Sequence, residues 1–506
     1  MASQILAAIA RHAAQQPEAI AMQESATALS YAELATEIVR MQKRLVPESA
    51  HVIGLAVENS PAWAVIDLAA IAAGVPVVPL PGFFSAEQTL HAIGNAGINK
   101  LITDQPIVME NLLETQGRAV SARQRYQLAG RWLTQFTLAE IGECRLPPGT
   151  AKVTYTSGTT GQPKGVCLSL AAIEQVAQSL LQVTEAGSAD RHLSILPLST
   201  LLENIAGLYV PLMAGARCTL LPSQRVGLSG ATGLDPLQLL ESIQHSQATT
   251  LVLTPELLKA LVMLAEAGHA LPDSLRFVAV GGATVSLALL DRAAAVGLPV
   301  FEGYGLSECS SVFAVNSPKA HLTGSVGKPL PHVVLKFAED GEILVSGSTM
   351  LGYTGADLAD YGNRFWPTGD TGYLDEAGYL YINGRKKNIF ITSFGRNVSP
   401  EWVESQLAQS PAIAQAALFG EARPWNTAVI VPSAHASMED IDAVINTVNA
   451  GLPDYAKVRR WLRADAPFSG KNQQLTPNFR LRRDAIWQAY ANRINHLYEE
   501  SADVCL

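Results

Sequence analysis

Along the middle of the chain, short apolar runs alternate with segments whose apolar residues recur every three or four positions. These are the signatures of buried strands and amphipathic helices. Residues 192–196 form such a run, residues 203–213 carry a helical pattern, and residues 217–221 return to a strand. Residues 250–253 lead into a helix opening at Pro255, a favoured first helical position. Residues 276–280 end in Gly281-Gly282, after which Ser286 caps a helix with Leu287, Leu290 and Ala294 on one face and Gly297 as its stop. Val300 and Phe301 begin the next strand. This alternation predicts an α/β fold with largely parallel sheets.

After about Pro329 the texture changes. Residues 333–347 read as two strands around a Glu339-Asp340-Gly341 turn, and residues 373–383 as a hairpin turned at Asp375-Glu376-Ala377-Gly378. The last part reads as a separate unit, with a helix capped by Ser399 and a basic segment near its end. At 506 residues the chain is too long for one ordinary core, so two or more domains are expected.

Composition narrows the class. With 48% apolar and 16% charged residues the chain is globular, and a formal net charge of −9 argues against a nucleic-acid-binding surface. Cys144, Cys167, Cys218, Cys309 and Cys505 are scattered without a C-x-x-C pair. That speaks against a disulfide framework or zinc site and fits a reducing, cytoplasmic setting. The N-terminal residues have no basic stretch before their short apolar run and read as a surface helix, not a signal peptide. The apolar stretch 63–80 contains Asp67, Gly74, Pro76 and Pro79. A buried helix over 61–73 feeding a buried strand over 75–80 explains it better than an integral membrane segment.

The most informative segment is Thr154-Tyr155-Thr156-Ser157-Gly158-Thr159-Thr160-Gly161-Gln162-Pro163-Lys164-Gly165. A strand over 152–155 runs into a loop of hydroxyls and glycines closed by a lysine, and Ser169 then caps a helix whose apolar face is Ile173, Val176 and Leu180. Hydroxyls and free N–H groups can wrap phosphate oxygens, glycine lets the backbone come close, and lysine adds charge. A Walker-type loop needs Ser or Thr after its lysine, whereas Gly165 follows Lys164. The segment therefore reads as a phosphate loop of another kind.

This segment resembles the signature loop of the adenylate-forming enzymes, a family of acyl-CoA synthetases, luciferases and peptide-synthetase adenylation domains. Further segments resemble that family's motifs in order: Ser30-Tyr31-Ala32-Glu33-Leu34, Gly281-Gly282-Ala283, Gly303-Tyr304-Gly305-Leu306-Ser307-Glu308, Trp366-Pro367-Thr368-Gly369-Asp370 and Gly384-Arg385-Lys386-Lys387. The resemblance implies a large multi-sheet adenylation domain over 1–384 and a smaller α+β lid over 385–506. It implies that ATP and Mg²⁺ activate a small-molecule carboxylic acid as an acyl-adenylate, which passes to CoA or to the phosphopantetheine of an acyl carrier protein.

By the same resemblance, Thr156, Ser157, Gly158, Thr159, Thr160, Gly161 and Lys164 hold the phosphates, and Glu308 holds the metal. Gly281, Gly282, Ala283, Gly303, Tyr304, Gly305 and Ser307 form the adenine pocket, where Ser307 replaces the usual threonine. Asp370 accepts the ribose hydroxyls, and Arg385 reaches ribose or phosphate. Lys387 is the hinge, and Gly395 lines the pantetheine path. One departure stands out. The family's C-terminal catalytic lysine falls on Arg480, within Leu475-Thr476-Pro477-Asn478-Phe479-Arg480, and arginine's planar fork is not equivalent. Lys471 is the other candidate for that role, and a non-catalytic adenylate-binding protein is the reading that Arg480 leaves open. Residues 196–204 carry no Asp to pair a substrate ammonium, only Glu203. The segment is closest to long-chain fatty acyl-CoA synthetases, and an acid without an ammonium, a fatty acid, is expected.

Overall fold

The computed structural model describes residues 3–25, 27–46, 52–115, 117–139, 146–156, 163–229, 233–355, 365–394, 396–476 and 480–500. By packing, the chain divides into two compact units. The larger comprises Met1–Gly282, Ala293–Lys336 and Leu344–Trp366; the smaller comprises Ala283–Arg292, Phe337–Ile343 and Pro367–Leu506. The fold is α/β, with the large multi-sheet portion N-terminal and a smaller C-terminal domain.

Among the described residues, the larger unit holds a nine-stranded and an eight-stranded sheet. In the first, Arg217–Leu220, Arg191–Ser194, Thr250–Leu253, Phe277–Val280 and Val300–Tyr304 run parallel side by side. Ligands of such sheets bind outside the carboxyl ends of the strands. Here those ends lead directly into Gly281 and Gly303-Tyr304-Gly305. In the second sheet, Thr150–Thr156 lies between Val77–Pro79, parallel, and Lys164–Ser169, antiparallel.

The apolar stretch 63–80 is core. Ser60 accepts from the Trp63 N–H at 3.2 Å, Pro61 opens the helix Pro61–Ala73, and Gly74 ends it at φ +66°. That left-handed value favours glycine. The strand that follows is shorter than predicted, Val77–Pro79. No described helix is long and apolar enough to cross a membrane. The Ser30 motif is a capping box: Ser30 and Glu33 exchange bonds of 2.7 and 3.3 Å, and buried Tyr31 donates to the Ala216 carbonyl at 2.8 Å.

Two local expectations are corrected. Residues 203–213 are not one α-helix but a π-helix, Glu203–Tyr209, followed by a short α-helix, Val210–Ala214. Pro211 has no N–H to give Gly207, and the Gly207 carbonyl takes the Cys218 thiol instead, at 3.7 Å. Ser399 stands at the start of Pro400–Leu407, but its hydroxyl makes no capping bond. It bonds Glu401 Oε2 at 3.5 Å and packs against Gly384, where an added Cβ would lie 2.2 Å from Ser399 Oγ.

The smaller unit centres on a three-stranded sheet, Ile413–Phe419, Asn426–Pro432 and Val458–Arg463. Val403, Ile430 and Ile441 fill one core cluster; Phe468, Ile486 and Tyr490 belong to another. Arg483 begins the last helix, Arg483–Glu500, and is clamped by buried Glu404 at 2.6 and 2.5 Å. This bidentate pair fixes the chain just after Arg480.

Candidate active site

The segment read as a phosphate loop is the mouth of a β-hairpin. Thr156 pairs with Lys164 across it, and Thr156 Oγ1 lies 3.5 Å from the Lys164 carbonyl. Ser157, Gly158, Thr159, Thr160 and Gly161 lie outside the described residues. Lys164 Nζ sits 5.5 Å from the centre of the Tyr353 ring, a cation–π arrangement. The Tyr353 hydroxyl donates to Glu308 Oε1 at 3.0 Å. Main-chain bonds fix the same ring of residues: Met350 N–H to the Glu308 carbonyl, Leu351 N–H to that of Cys167, and Thr354 N–H to that of Gly165, each 2.8 Å. Lys164 and Glu308, far apart in sequence, are thus joined through Tyr353. Sequence reading missed Tyr353, because nothing in its local pattern sets it apart.

The two glycine segments meet at the strand ends. A Cβ on Gly281 would lie 3.1 Å from the Gly303 carbonyl oxygen, and one on Gly305 would lie 1.5 Å from that of Ser311. Backbone approaches backbone here, and side chains are excluded. Gly282 has φ +86°, and Ala283 follows it in the chain. Tyr304, half buried, meets Phe313 edge-on at 4.7 Å. Ser307 opens a single 3₁₀ turn, Ser307–Cys309, which carries Glu308. One residue before this segment, Glu302 is buried, and burial pushes its carboxyl up to about 8.

In the smaller unit, Asp370 and Arg385 are partners across the hairpin of Trp366–Leu374 and Leu380–Arg385, with Arg385 Nε 2.8 Å from Asp370 Oδ1. Asp370 is buried while Arg385 is partly exposed. Lys386 turns away to Asp340 and Glu342, at 2.5 and 2.8 Å. Lys387 is held below the usual lysine range, first by burial and then by Arg385 and Arg480, with Asp484 and Asp370 opposing. Arg480 therefore shares an electrostatic neighbourhood with Lys387. Its backbone closes on Thr476, N–H to hydroxyl at 3.0 Å and Thr476 N–H to its carbonyl at 2.8 Å. Lys471 is exposed on a turn. Gly395 lies outside the described residues. Glu203 is fully buried and bonded to His192 at 3.0 Å.

The profile of the AMP-binding enzyme family matches residues 9–354, and that of the AMP-binding enzyme C-terminal domain matches residues 387–502. The chain belongs to the AMP-binding enzyme family. Among its relatives, a long-chain-fatty-acid–CoA ligase of Mycobacterium bovis is 26% identical, over 87% of this chain and 86% of its own length. A 2-succinylbenzoate–CoA ligase of Bacillus subtilis is 29% identical, over 88% of this chain and 89% of its own. The crystal structure of an anthranilate CoA ligase in complex with anthranoyl-AMP superposes with a TM-score of 0.79 at 20% identity, covering 96% of each chain. That likeness carries the fold of this AMP-binding enzyme over nearly its whole length.

Proposed function

We propose that this AMP-binding family enzyme, an acid–thiol ligase, couples ATP to a carboxylic acid through an acyl-adenylate and delivers the acyl group to CoA. The observation that carries the reading is the Thr156, Lys164, Tyr353 and Glu308 arrangement at the mouth of the phosphate hairpin, in the same unit as the glycine-lined strand ends. A carboxylate oxygen attacks the α-phosphorus and pyrophosphate leaves. A thiolate then attacks the acyl carbon and AMP leaves. The first step brings anions together, so positive charge and in-line positioning set its rate. Lys164 and the loop hydroxyls neutralise the leaving phosphates, the Tyr304 face takes adenine, and Asp370 takes the ribose hydroxyls.

Glu308, half buried and bonded at one oxygen by Tyr353, offers a single hard carboxylate. That donor fits Mg²⁺, which keeps most of its ligands as water and phosphate oxygen. Bound there, the ion would neutralise phosphate charge. Arg480 supplies the cation at the family's lysine position; both it and Lys471 are exposed, and it is Arg480 whose charge is felt at Lys387.

The acid is proposed to be a fatty acid. Support comes from the absence of an Asp in residues 196–204, from Glu203 being sequestered by His192, and from the Mycobacterium bovis relative. The test supplies ATP, Mg²⁺ and short, long and aromatic acids, with CoA or a holo-carrier protein. Acid-dependent pyrophosphate release and an acyl-CoA mass are expected, highest for aliphatic acids. A thioester on the carrier alone would replace the acceptor. No pyrophosphate with any acid would return the chain to a binding role.

A further inference from the structure

The strand carrying the phosphate segment has a buried charge at its base. Lys152 lies on Thr150–Thr156 and is 2% exposed, a place where a lysine occurs only with partners. Its ammonium donates to Asp67 Oδ1 at 2.8 Å, to the Tyr209 hydroxyl at 2.7 Å and to Asn204 Oδ1. Asp67, fully buried, also accepts from the Tyr209 hydroxyl and from Asn204 Nδ2. Burial holds the lysine below its usual range while Asp67 opposes that shift. The cluster joins three elements: the helix Pro61–Ala73, the phosphate strand, and the π-helix Glu203–Tyr209, which supplies two of the four members.

A buried ion pair is a weak source of stability, since apolar residues of similar volume often serve as well or better. Its geometric value is different. The Lys152 backbone pairs with Val77 on one side and Leu168 on the other, so a pull on its side chain acts on the whole hairpin that opens between Thr156 and Lys164. Thr156 lies four residues on, about 13 Å along a strand, and Lys152, Thr154 and Thr156 share one face. Lys152 therefore acts on the nucleotide only through the strand. The π-helix at the other end of the tie begins within residues 196–204, the segment assigned to the acid.

We propose that Lys152 is a positioning residue, which pins the phosphate hairpin to the π-helix and helix Pro61–Ala73 and so fixes the height at which Thr156 and Lys164 meet ATP. This rests on the adenylation reading above. Replacing both charges tests it, as Lys152→Met with Asp67→Leu, because Asn204 and Tyr209 remain to bond each other. The double variant should keep a thermal midpoint near that of the wild type. Its calorimetric affinity for ATP–Mg²⁺ should fall about tenfold, with the KM for the acid moving less than about twofold. Tyr209→Phe, which removes one tie and keeps both charges, should shift ATP affinity in the same direction by a smaller factor. A folded double variant with wild-type ATP affinity, or equal changes for ATP and acid, would overturn the proposal. If the double variant does not fold, unchanged ATP affinity in Tyr209→Phe overturns it. Absence of acid-dependent pyrophosphate release by the wild type would count against the adenylation reading alone, since the ATP calorimetry still decides the role of Lys152.

Discussion

Single residues carry two consequences that chain position alone does not show. Glu302 is buried, its Oε2 has no hydrogen-bond partner among the described residues, and its carboxyl is pushed up to about 8 from an ordinary 4.5. The folded chain thus holds a proton that the unfolded chain releases above about pH 4.5. Stability contributed by that proton is complete below the lower value and is lost as pH rises towards the upper one. Between pH 6 and 8 the loss is on the order of 2 kcal/mol. The thermal midpoint of the wild type should fall over that interval, and Glu302→Gln should flatten the fall; identical slopes would mean that Glu302 ionises normally. Tyr353 is the second case. Phenylalanine there keeps a ring beneath Lys164 but removes the hydroxyl bonded to Glu308. A hydrogen bond to a charged group is worth about 1.5–3 kcal/mol, so Tyr353→Phe should raise the Mg²⁺ needed for half-maximal pyrophosphate release about tenfold. An unchanged Mg²⁺ titration would reduce Tyr353 to packing.

At the scale of elements, what the sequence discloses depends on how local the cause is. The strand and glycine-rich loop after residue 152, the glycine-ended strands and the Asp370 hairpin each announce themselves within a dozen residues, through alternation, glycine and turn chemistry. The strand Lys164–Ser169, which closes that loop into a hairpin, is not expected from the sequence. The Tyr353–Glu308 bond spans 45 positions, and no local pattern encodes it. The π-helix is hidden for the same reason. Its apolar spacing looks α-helical, and the carbonyl that Pro211 cannot serve takes the distant Cys218 thiol. Lys152 reads as one more strand residue until Asp67, Asn204 and Tyr209 surround it. The π-helix also yields a prediction. A Cβ on Gly207 would lie 2.2 Å from Glu203 Oε1 and 2.6 Å from His192 Nε2. These atoms belong to a buried, hydrogen-bonded pair. Gly207→Ala should destabilise the protein by about 1–3 kcal/mol, read as a lowered thermal midpoint. A midpoint equal to the wild type's would show that the helix can shift away from His192.

For the whole molecule, the question is how one site serves two steps with different demands. Adenylation needs a cation beside the acid and the α-phosphate, whereas thioester formation needs an open path for pantetheine. The chain after Lys387 holds a candidate for each, Arg480 and Gly395, on a unit whose core and Glu404–Arg483 clamp keep it folded as one body. A swing about Lys387 would present them in turn. Burial holds Lys387 below the usual lysine range, Arg385 and Arg480 add to that, and Asp484 and Asp370 oppose it. The half-reactions separate the roles. Arg480→Ala should slow pyrophosphate release from ATP and acid by about 10²-fold, the usual effect of losing one well-placed electrostatic contact. It should leave thioester formation from supplied acyl-adenylate nearly intact. Gly395→Leu should do the reverse if Gly395 lines the thiol's approach as the family resemblance implies, since a side chain there would narrow it. Lys471→Ala should change neither step. A silent Arg480→Ala with a blocked Lys471→Ala would move the catalytic cation to Lys471 and leave the reaction class standing. Equal effects of every variant on both half-reactions would remove the two-position lid, and both steps would then have to run in a single arrangement of the chain.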